Sequence, residues 1–455
     1  MKKILIANRG AAAARILRAV KALGLQSVVV YSEADAGLPY VRQADESFCI
    51  GPAPARDSYL NQDALLGVMA RCGADALHPG YGFLSENAQF AQRVVAAGHC
   101  FIGPSPKWID ALGNKAAARA LMQRHGLPAG GSTGILPGDD MAAVCRAAEA
   151  LGFPVLIKPA GGGGGIGMVP AEDAQSLPAC WERASGLAVK AFGDATLYLE
   201  RFIQAPRHIE FQFLADRYGK VLSLFERDCS TQRRYQKVIE EAPAPAIDRE
   251  AVADMAARLS AILGEIGYDV IGTVEMLYTP DSGFSFLEVN TRLQVEHAIT
   301  EAVTGVDIVQ AQIRLAAGET LSAVIGPGPM LKGHAIEARV YAEDPVRFLP
   351  SPGVLKTFDL PGERPGLRIE TGYAAGNRVS SHYDPMVAKI IAHSDTREGA
   401  MRTLIDALGD ARIEGIKTNI PMILQVLRSG RFQAGAMTVD SLQALIPTEA
   451  AKERA

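Results

Sequence analysis

The chemistry of this chain concentrates in one stretch, Phe286-Leu287-Glu288-Val289-Asn290-Thr291-Arg292-Leu293-Gln294-Val295-Glu296-His297. In an extended chain, side chains alternate faces with a period of two. Glu288, Asn290, Arg292, Gln294 and Glu296 therefore share one face for as long as the extension lasts, and Leu287, Val289, Leu293 and Val295 take the other. A carboxylate beside an amide oxygen suits a hard, octahedral Mg2+. A neighbouring guanidinium suits a planar oxyanion, which it grips with two parallel hydrogen bonds. Cation ligands thus stand at one end and anion ligands at the other. A solvated amphipathic strand has the same alternation, but it does not require a run of polar groups that cannot replace one another.

A second acid, Glu275, lies in Gly272-Thr273-Val274-Glu275-Met276-Leu277. Joined through residues 279–283, the two segments make a hairpin in which Glu275 and Glu288 face each other. Two carboxylates and an amide are a coherent set for a magnesium nucleotide; alone, Glu275 reads as an exposed strand acid. A glycine run at 161–165, continued by Gly167, follows an apolar strand ending in Lys158. Glycines let backbone N–H groups approach phosphate oxygens, and Lys158 adds a point charge. The run lacks the Gly-Lys-Ser/Thr ending of a Walker motif, and a flexible linker is its alternative reading. Gln232-Arg233-Arg234-Tyr235-Gln236-Lys237 follows Glu226-Arg227-Asp228, and by pattern a salt-bridged face outweighs an anion grip. His78-Pro79-Gly80-Tyr81-Gly82-Phe83-Leu84-Ser85-Glu86-Asn87 makes a tight loop where parallel sheets bind ligands, with Ser85 as the expected helix N-cap.

These groups need a scaffold. The first part of the chain alternates strands at 4–7, 27–31, 74–78 and 100–102 with helical patterns such as 11–23, which implies a parallel, doubly wound sheet. Its first turn, Asn8-Arg9-Gly10, is not Gly-x-Gly-x-x-Gly, so a dinucleotide site is poorly supported. A second unit starts near Asn114, with helices at 115–125 and 141–151, a strand at 155–158 and strand-rich stretches at 207–224 and 272–290. A third, from about 332 to 431, is strand-rich and ends in helices from Arg397. The 455 residues fit about three domains. A hydrophobic content of 48%, a charged content of 21% and a net charge of -4 describe a globular protein with no electrostatic reason to bind nucleic acid or an anionic membrane. No apolar run is long enough for a membrane span. The six cysteines form no Cys-x-x-Cys pair and are expected as buried thiols in a reducing cytoplasm; the eight histidines form no metal cluster.

The segments at 78–87, Lys158 with 161–165, 226–237 and 286–297 together resemble the signature segments of biotin carboxylases, in order and spacing, from Met1 to about Leu445. The stretch 286–293 is shared with carbamoyl-phosphate synthetases; Gln294-Val295-Glu296-His297 and the loop at His78 are the more specific parts. The resemblance implies a Rossmann-like N-terminal domain (1–113), an ATP-grasp central domain with a mobile lid (114–330, lid about 131–203) and a β-rich C-terminal domain (331–446), hence an α/β and α+β fold. It further implies that Lys115, Lys158, Gly164, Gly165, Glu200, Arg201, Phe202, Ile203, His208, Gln232, Tyr235, Glu275 and Glu288 contact ATP. Glu275, Glu288 and Asn290 then hold Mg2+ or Mn2+, and Lys237, Arg292, Gln294 and Val295 bind bicarbonate. Glu296 is the implied general base beside Lys237 and Arg292, and Arg339 and Tyr81 meet biotin. The implied reaction is ATP- and bicarbonate-dependent carboxylation of biotin through carboxyphosphate.

The sequence departs from the family pattern at Ile166 and Ala11, where arginine and glutamate are common, and at Arg201 and Tyr235, for lysine and histidine. It carries no Ala-Met-Lys-Met biotinylation motif. A separate biotin carboxyl carrier protein and carboxyltransferase subunits are therefore the expected partners, and the resemblance implies a homodimer. The competing readings are another ATP-grasp ligase joining a carboxylate to an amine, which leaves 294–296 and the loop at His78 unexplained, and a non-catalytic homologue.

Overall fold

The computed structural model describes residues 1–160, 167–233 and 236–446. The N-terminal sheet is parallel, with strands β1 (Lys3–Ile6), β2 (Gln26–Tyr31), β3 (Glu46–Cys49), β4 (Ala76–His78) and β5 (Cys100–Phe101) in the order β3-β2-β1-β4-β5. Its central strands read as apolar runs because helices cover both faces: Ile4, Leu5, Ile6, Val28, Val29 and Val30 are all fully buried. The carboxyl ends of β1 and β4 deliver Asn8–Gly10 and the loop after His78 to the same edge. Asn8 ties the two together, donating from Nδ2 to the carbonyls of Pro79 (2.7 Å) and Tyr81 (2.8 Å).

Ser85 is not the helix N-cap that its type suggests. The helix Ala88–Ala96 begins two residues later and is capped by Asn87, which accepts from the Phe90 N–H. Positive φ at Gly80, Gly82 and Phe83 winds the loop tightly enough to delay the helix.

A three-stranded antiparallel sheet, β6 (Val155–Pro159), β7 (Val169–Ala171) and β8 (Leu197–Arg201), runs in the order β7-β6-β8. With helices Met141–Leu151 and Leu177–Phe192 it encloses a core of its own, including Val144, Ile157, Trp181 and Leu199. The largest sheet is antiparallel and eight-stranded: β9 (Arg207–Ala215), β10 (Val221–Arg233), β11 (Gln236–Ala242), β12 (Val270–Thr279), β13 (Gly283–Asn290), β14 (His334–Tyr341), β17 (Leu367–Thr371) and β19 (Met386–Ser394), ordered β13-β12-β9-β10-β11-β14-β19-β17. The β11–β14 pairing makes the second and third units of the chain one continuous surface. Small pairs, β15 (Gly353–Val354) with β18 (Arg378–Val379) and β16 (Thr357–Asp359) with β20 (Arg412–Glu414), sit beside it.

All six thiols are free, but only Cys229 is buried, which corrects the expectation for the rest. Cys49 and Cys72 close an edge strand and a helix, where side chains meet solvent. Among the described residues, no helix is long and apolar enough to cross a membrane.

Candidate active site

The acids of the hairpin meet as their spacing requires. β12 and β13 pair in a register that sets Glu275 opposite Glu288. A bulge follows at once, with Met276 opposite Phe286, and it turns Leu287 and Glu288 together toward one cavity. The extension ends at Asn290, so Arg292, Gln294 and Glu296 do not continue the strand face. The chain instead turns through 291–296 into the helix His297–Thr304. The cause lies in the loop after β4: Glu86 Oε1 accepts the Thr291 N–H (3.2 Å) and Glu86 Oε2 accepts Arg292 Nε (2.8 Å). The polar groups converge by a turn rather than by alternation.

Every acid in this region has a cationic partner. Glu288 pairs with Lys115 at 2.6 Å. Glu275 Oε1 accepts from Lys237 Nζ (2.8 Å) and Gln294 Nε2 (3.2 Å). His208 Nε2 stands 2.9 Å from Glu275 Oε2, within ion-pair range but off the hydrogen-bond line. Burial would raise the Glu275 pKa, yet Lys237 and His208 outweigh it and hold the carboxyl well below the usual range. Asn290 Oδ1 accepts from Arg292 Nη2 at 2.7 Å, while its buried Nδ2 has no partner among the described residues. Glu200 is gripped from both sides, by Lys158 (2.8 Å) and Arg119 (2.5 Å).

Lys237 joins the two halves of the site. Its ammonium lies 2.6 Å from Glu210, 2.8 Å from Glu275 and 2.7 Å from Glu296. His208, Glu210 and Glu275, and separately Glu210, Cys229 and Glu296, stand close enough to hold an ion. The ammonium already fills that space, and burial pushes the Cys229 thiol up, so neither group offers an open transition-metal site. Glu296 accepts from Lys237 through Oε1 and from Arg339 Nη2 through Oε2 (3.0 Å). Burial opposes its ionisation, but Lys237, Arg339 and Arg227 together keep its pKa well below the usual range. Arg227, fully buried, braces the floor by donating to Glu210 (2.5 Å), Gln212 and Thr300.

One cavity of about 990 Å3 gathers these groups. Three family descriptions match the chain: "Biotin carboxylase, N-terminal domain" over residues 1–109, "Carbamoyl-phosphate synthase L chain, ATP binding domain" over 114–324, and "Biotin carboxylase C-terminal domain" over 337–444. A biotin carboxylase of Halalkalibacterium halodurans is 48% identical over 445 residues, covering 96% of each chain. The chain belongs to the biotin carboxylase family. Its structure is similar to a Campylobacter jejuni biotin carboxylase in a beta-gamma-ATP complex, with TM-score 0.93, 39% identity and coverage of 97% and 98% of the two chains. It is also similar to the biotin carboxylase domain dimer of Hydrogenobacter thermophilus 2-oxoglutarate carboxylase, complexed with MgADP, ADP and bicarbonate, at TM-score 0.91 and 40% identity, covering 97% of each chain. As a biotin carboxylase, it is an ATP-dependent ligase that carboxylates biotin as a component of a carboxylase.

The biotin carboxylase cavity is lined by Tyr81, Lys115, Lys158, Glu200, Arg201, Phe202, Ile203, His208, Gln232, Lys237, Glu275, Glu288, Asn290, Arg292, Gln294, Val295, Glu296 and Arg339, so the described sequence candidates come together. Gly164, Gly165 and Tyr235 lie outside the described residues. Gln232 is buried and Lys237 half-buried in the cavity wall, so their segment is more than the surface face its pattern suggested; Arg233 is paired with Glu343 at 2.6 Å. Sequence reasoning missed Glu86, Arg119 and Glu210, which hold Arg292, Glu200 and Lys237. Glu210 was within reach, because it shares a strand face with His208. Nothing local marks Arg119, which sits between Ala118 and Ala120 on its helix.

Proposed function

We propose that the cavity binds MgATP and bicarbonate, forms carboxyphosphate and carboxylates biotin presented by a separate biotin carboxyl carrier protein. One observation carries this reading: the acid pair Glu275–Glu288 and the cluster Arg292–Glu296 line the same cavity, joined by Lys237. Lys115 and Lys158 meet the phosphates, with Glu200, Arg201, Phe202, Ile203, His208 and Gln232 around the nucleotide. Glu275, Glu288 and Asn290 suit Mg2+, or Mn2+, because all three supply hard oxygens and their present partners are exchangeable cations. The metal offsets charge on the phosphates. Lys237, Arg292, Gln294 and the Val295 N–H orient bicarbonate, and Glu296 takes its proton. An entering anion competes for Lys237, which weakens the hold on Glu296 and restores its basicity. Arg339, with Tyr81 nearby, holds the ureido oxygen of biotin as negative charge builds there.

The sheet β6–β8, with its separate core, is the proposed lid within 114–330, between units 1–113 and 331–446. Closure of such a lid keeps water from a labile phosphate anhydride. Carboxyltransferase subunits would complete the assembly. A homodimer is inferred from the dimeric Hydrogenobacter relative. The test is ADP release by the purified chain with MgATP and bicarbonate, with and without free biotin. Biotin-stimulated, bicarbonate-dependent turnover is expected; turnover that needs an amine instead would establish the rival ligase.

A further inference from the structure

His297 closes the polar stretch, and the reaction as described does not use it. Its side chain is buried, and Nδ1 lies 2.7 Å from the Gln294 carbonyl oxygen. A carbonyl oxygen only accepts, so Nδ1 carries the proton and donates. The other nitrogen, Nε2, is buried with no partner among the described residues, so the ring makes this one directed contact. Burial and then the nearby Lys389 charge push its pKa down to about 4, which keeps the ring neutral near pH 7. One residue along, buried Lys389 on β19 donates from Nζ to the Val295 carbonyl at 2.5 Å, with its charge met by Glu370 at 2.8 Å.

Both contacts lie behind the turn that faces the cavity. A peptide unit is planar and trans, so its C=O and N–H point in opposite directions. The Gln294 carbonyl and the Val295 N–H belong to one peptide. Held inward by His297, the carbonyl turns the Val295 N–H outward, and Val295 lines the cavity. Lys389 fixes the next peptide, the one that enters Glu296.

We propose that His297, supported by Lys389, is a positioning residue that clamps the Gln294 carbonyl and so presents the Val295 N–H to bicarbonate. The inference rests on the reading that places the anion against Val295 and Arg292. A residue that merely packed beneath the helix His297–Thr304 would affect stability without selecting one substrate. The clamp acts first on bicarbonate, because Val295 is a proposed anion contact and the nucleotide contacts lie on other elements.

Lys389 is the poorer target for mutation, since its removal leaves Glu337 buried without its ion-pair partner among the described residues and takes one of several cations from Glu370. Substitution of His297 separates the readings. In steady-state ADP release by the full chain, with bicarbonate and MgATP varied separately, His297→Leu should raise the bicarbonate KM about five- to tenfold. The MgATP KM should not change. His297→Asn, whose amide nitrogen falls near the Nδ1 position, should restore the bicarbonate KM to within about twofold. His297→Gln, whose amide reaches toward Nε2, should not. If His297→Leu loses its thermal transition, the Asn and Gln variants alone decide. An unchanged bicarbonate KM in a folded His297→Leu, or equal behaviour of Asn and Gln, overturns the clamp. An unchanged bicarbonate KM in Arg292→Ala instead overturns the placement of the anion.

Discussion

Lys237 and Glu296 form an ion pair of 2.7 Å on the cavity floor, and the same ammonium stands 2.8 Å from Glu275. One cation therefore serves both the proposed proton acceptor and a proposed metal ligand. Glu296→Gln keeps the shape and the other two carboxylates around Lys237, but cannot take a proton. Its kcat for biotin-dependent ADP release should fall about 10²- to 10⁴-fold with little change in MgATP KM. Full activity in this variant would remove Glu296 from the reaction.

Glu288 differs from Glu275 in being partly open, with Lys115 as its one ion-pair partner among the described residues. Glu288→Gln leaves an amide oxygen that is neutral and a weaker ligand for a hard cation. The Mg2+ concentration giving half-maximal turnover should rise about tenfold or more. Chelation by EDTA should stop turnover of the unaltered chain, and added Mg2+ should restore it. A Mg2+ titration that overlays the parent curve would place the metal elsewhere.

Periodicity found the strands, and pairing of two polar-alternating segments found the Glu275–Glu288 contact, because both are local consequences of backbone geometry. The helix Met141–Leu151 and the first strands were legible for the same reason. Arg292, Gln294 and Glu296 were grouped with the acid pair by residue type, and they line the same cavity although the strand stops at Asn290. That stop depends on Glu86, 206 residues away in sequence from Arg292, and no local pattern records such a contact. The half-buried place of Lys237 in the cavity wall was also hidden, because three carboxylates from three other segments make it tolerable. Ser85 fits an N-cap by type, but the winding of the loop passes that place to Asn87.

Gly80 illustrates a stability constraint on the same loop. It has φ +66, and a Cβ there would meet Asn8 Nδ2 at 2.6 Å, on a side chain pinned by two hydrogen bonds. Gly82 has φ +67 with nothing within 4 Å of the added atom. Gly82→Ala should therefore cost about 1 kcal/mol and Gly80→Ala about 2–3 kcal/mol in urea unfolding. Equal costs would mean that Asn8 is free to yield.

Glu240 and Glu337 face each other across β11 and β14, fully buried beneath Arg339, and none of their carboxylate oxygens makes a hydrogen bond among the described residues. Arg339 Nε stands 2.5 Å from Glu240, and Lys389 stands 3.6 Å from Glu337. Burial pushes Glu240 up to about 7 and Glu337 up to about 8, with Arg339 and Lys389 offsetting only part of it. A carboxyl raised from its ordinary 4.5 binds its proton more tightly in the folded chain than in the unfolded one. Its stabilising contribution is complete below pH 4.5 and is lost as the pH climbs through about 7 and 8. Glu337→Gln removes one of these protonation costs. Its unfolding free energy should match the parent below pH 4.5 and exceed it by about 2–4 kcal/mol at pH 9, with the gap opening from pH 4.5 to about 8. Parallel stability curves would mean that Glu337 is already ionised at neutral pH and is matched fully by Lys389, so that no carboxyl with a raised pKa is removed by the substitution.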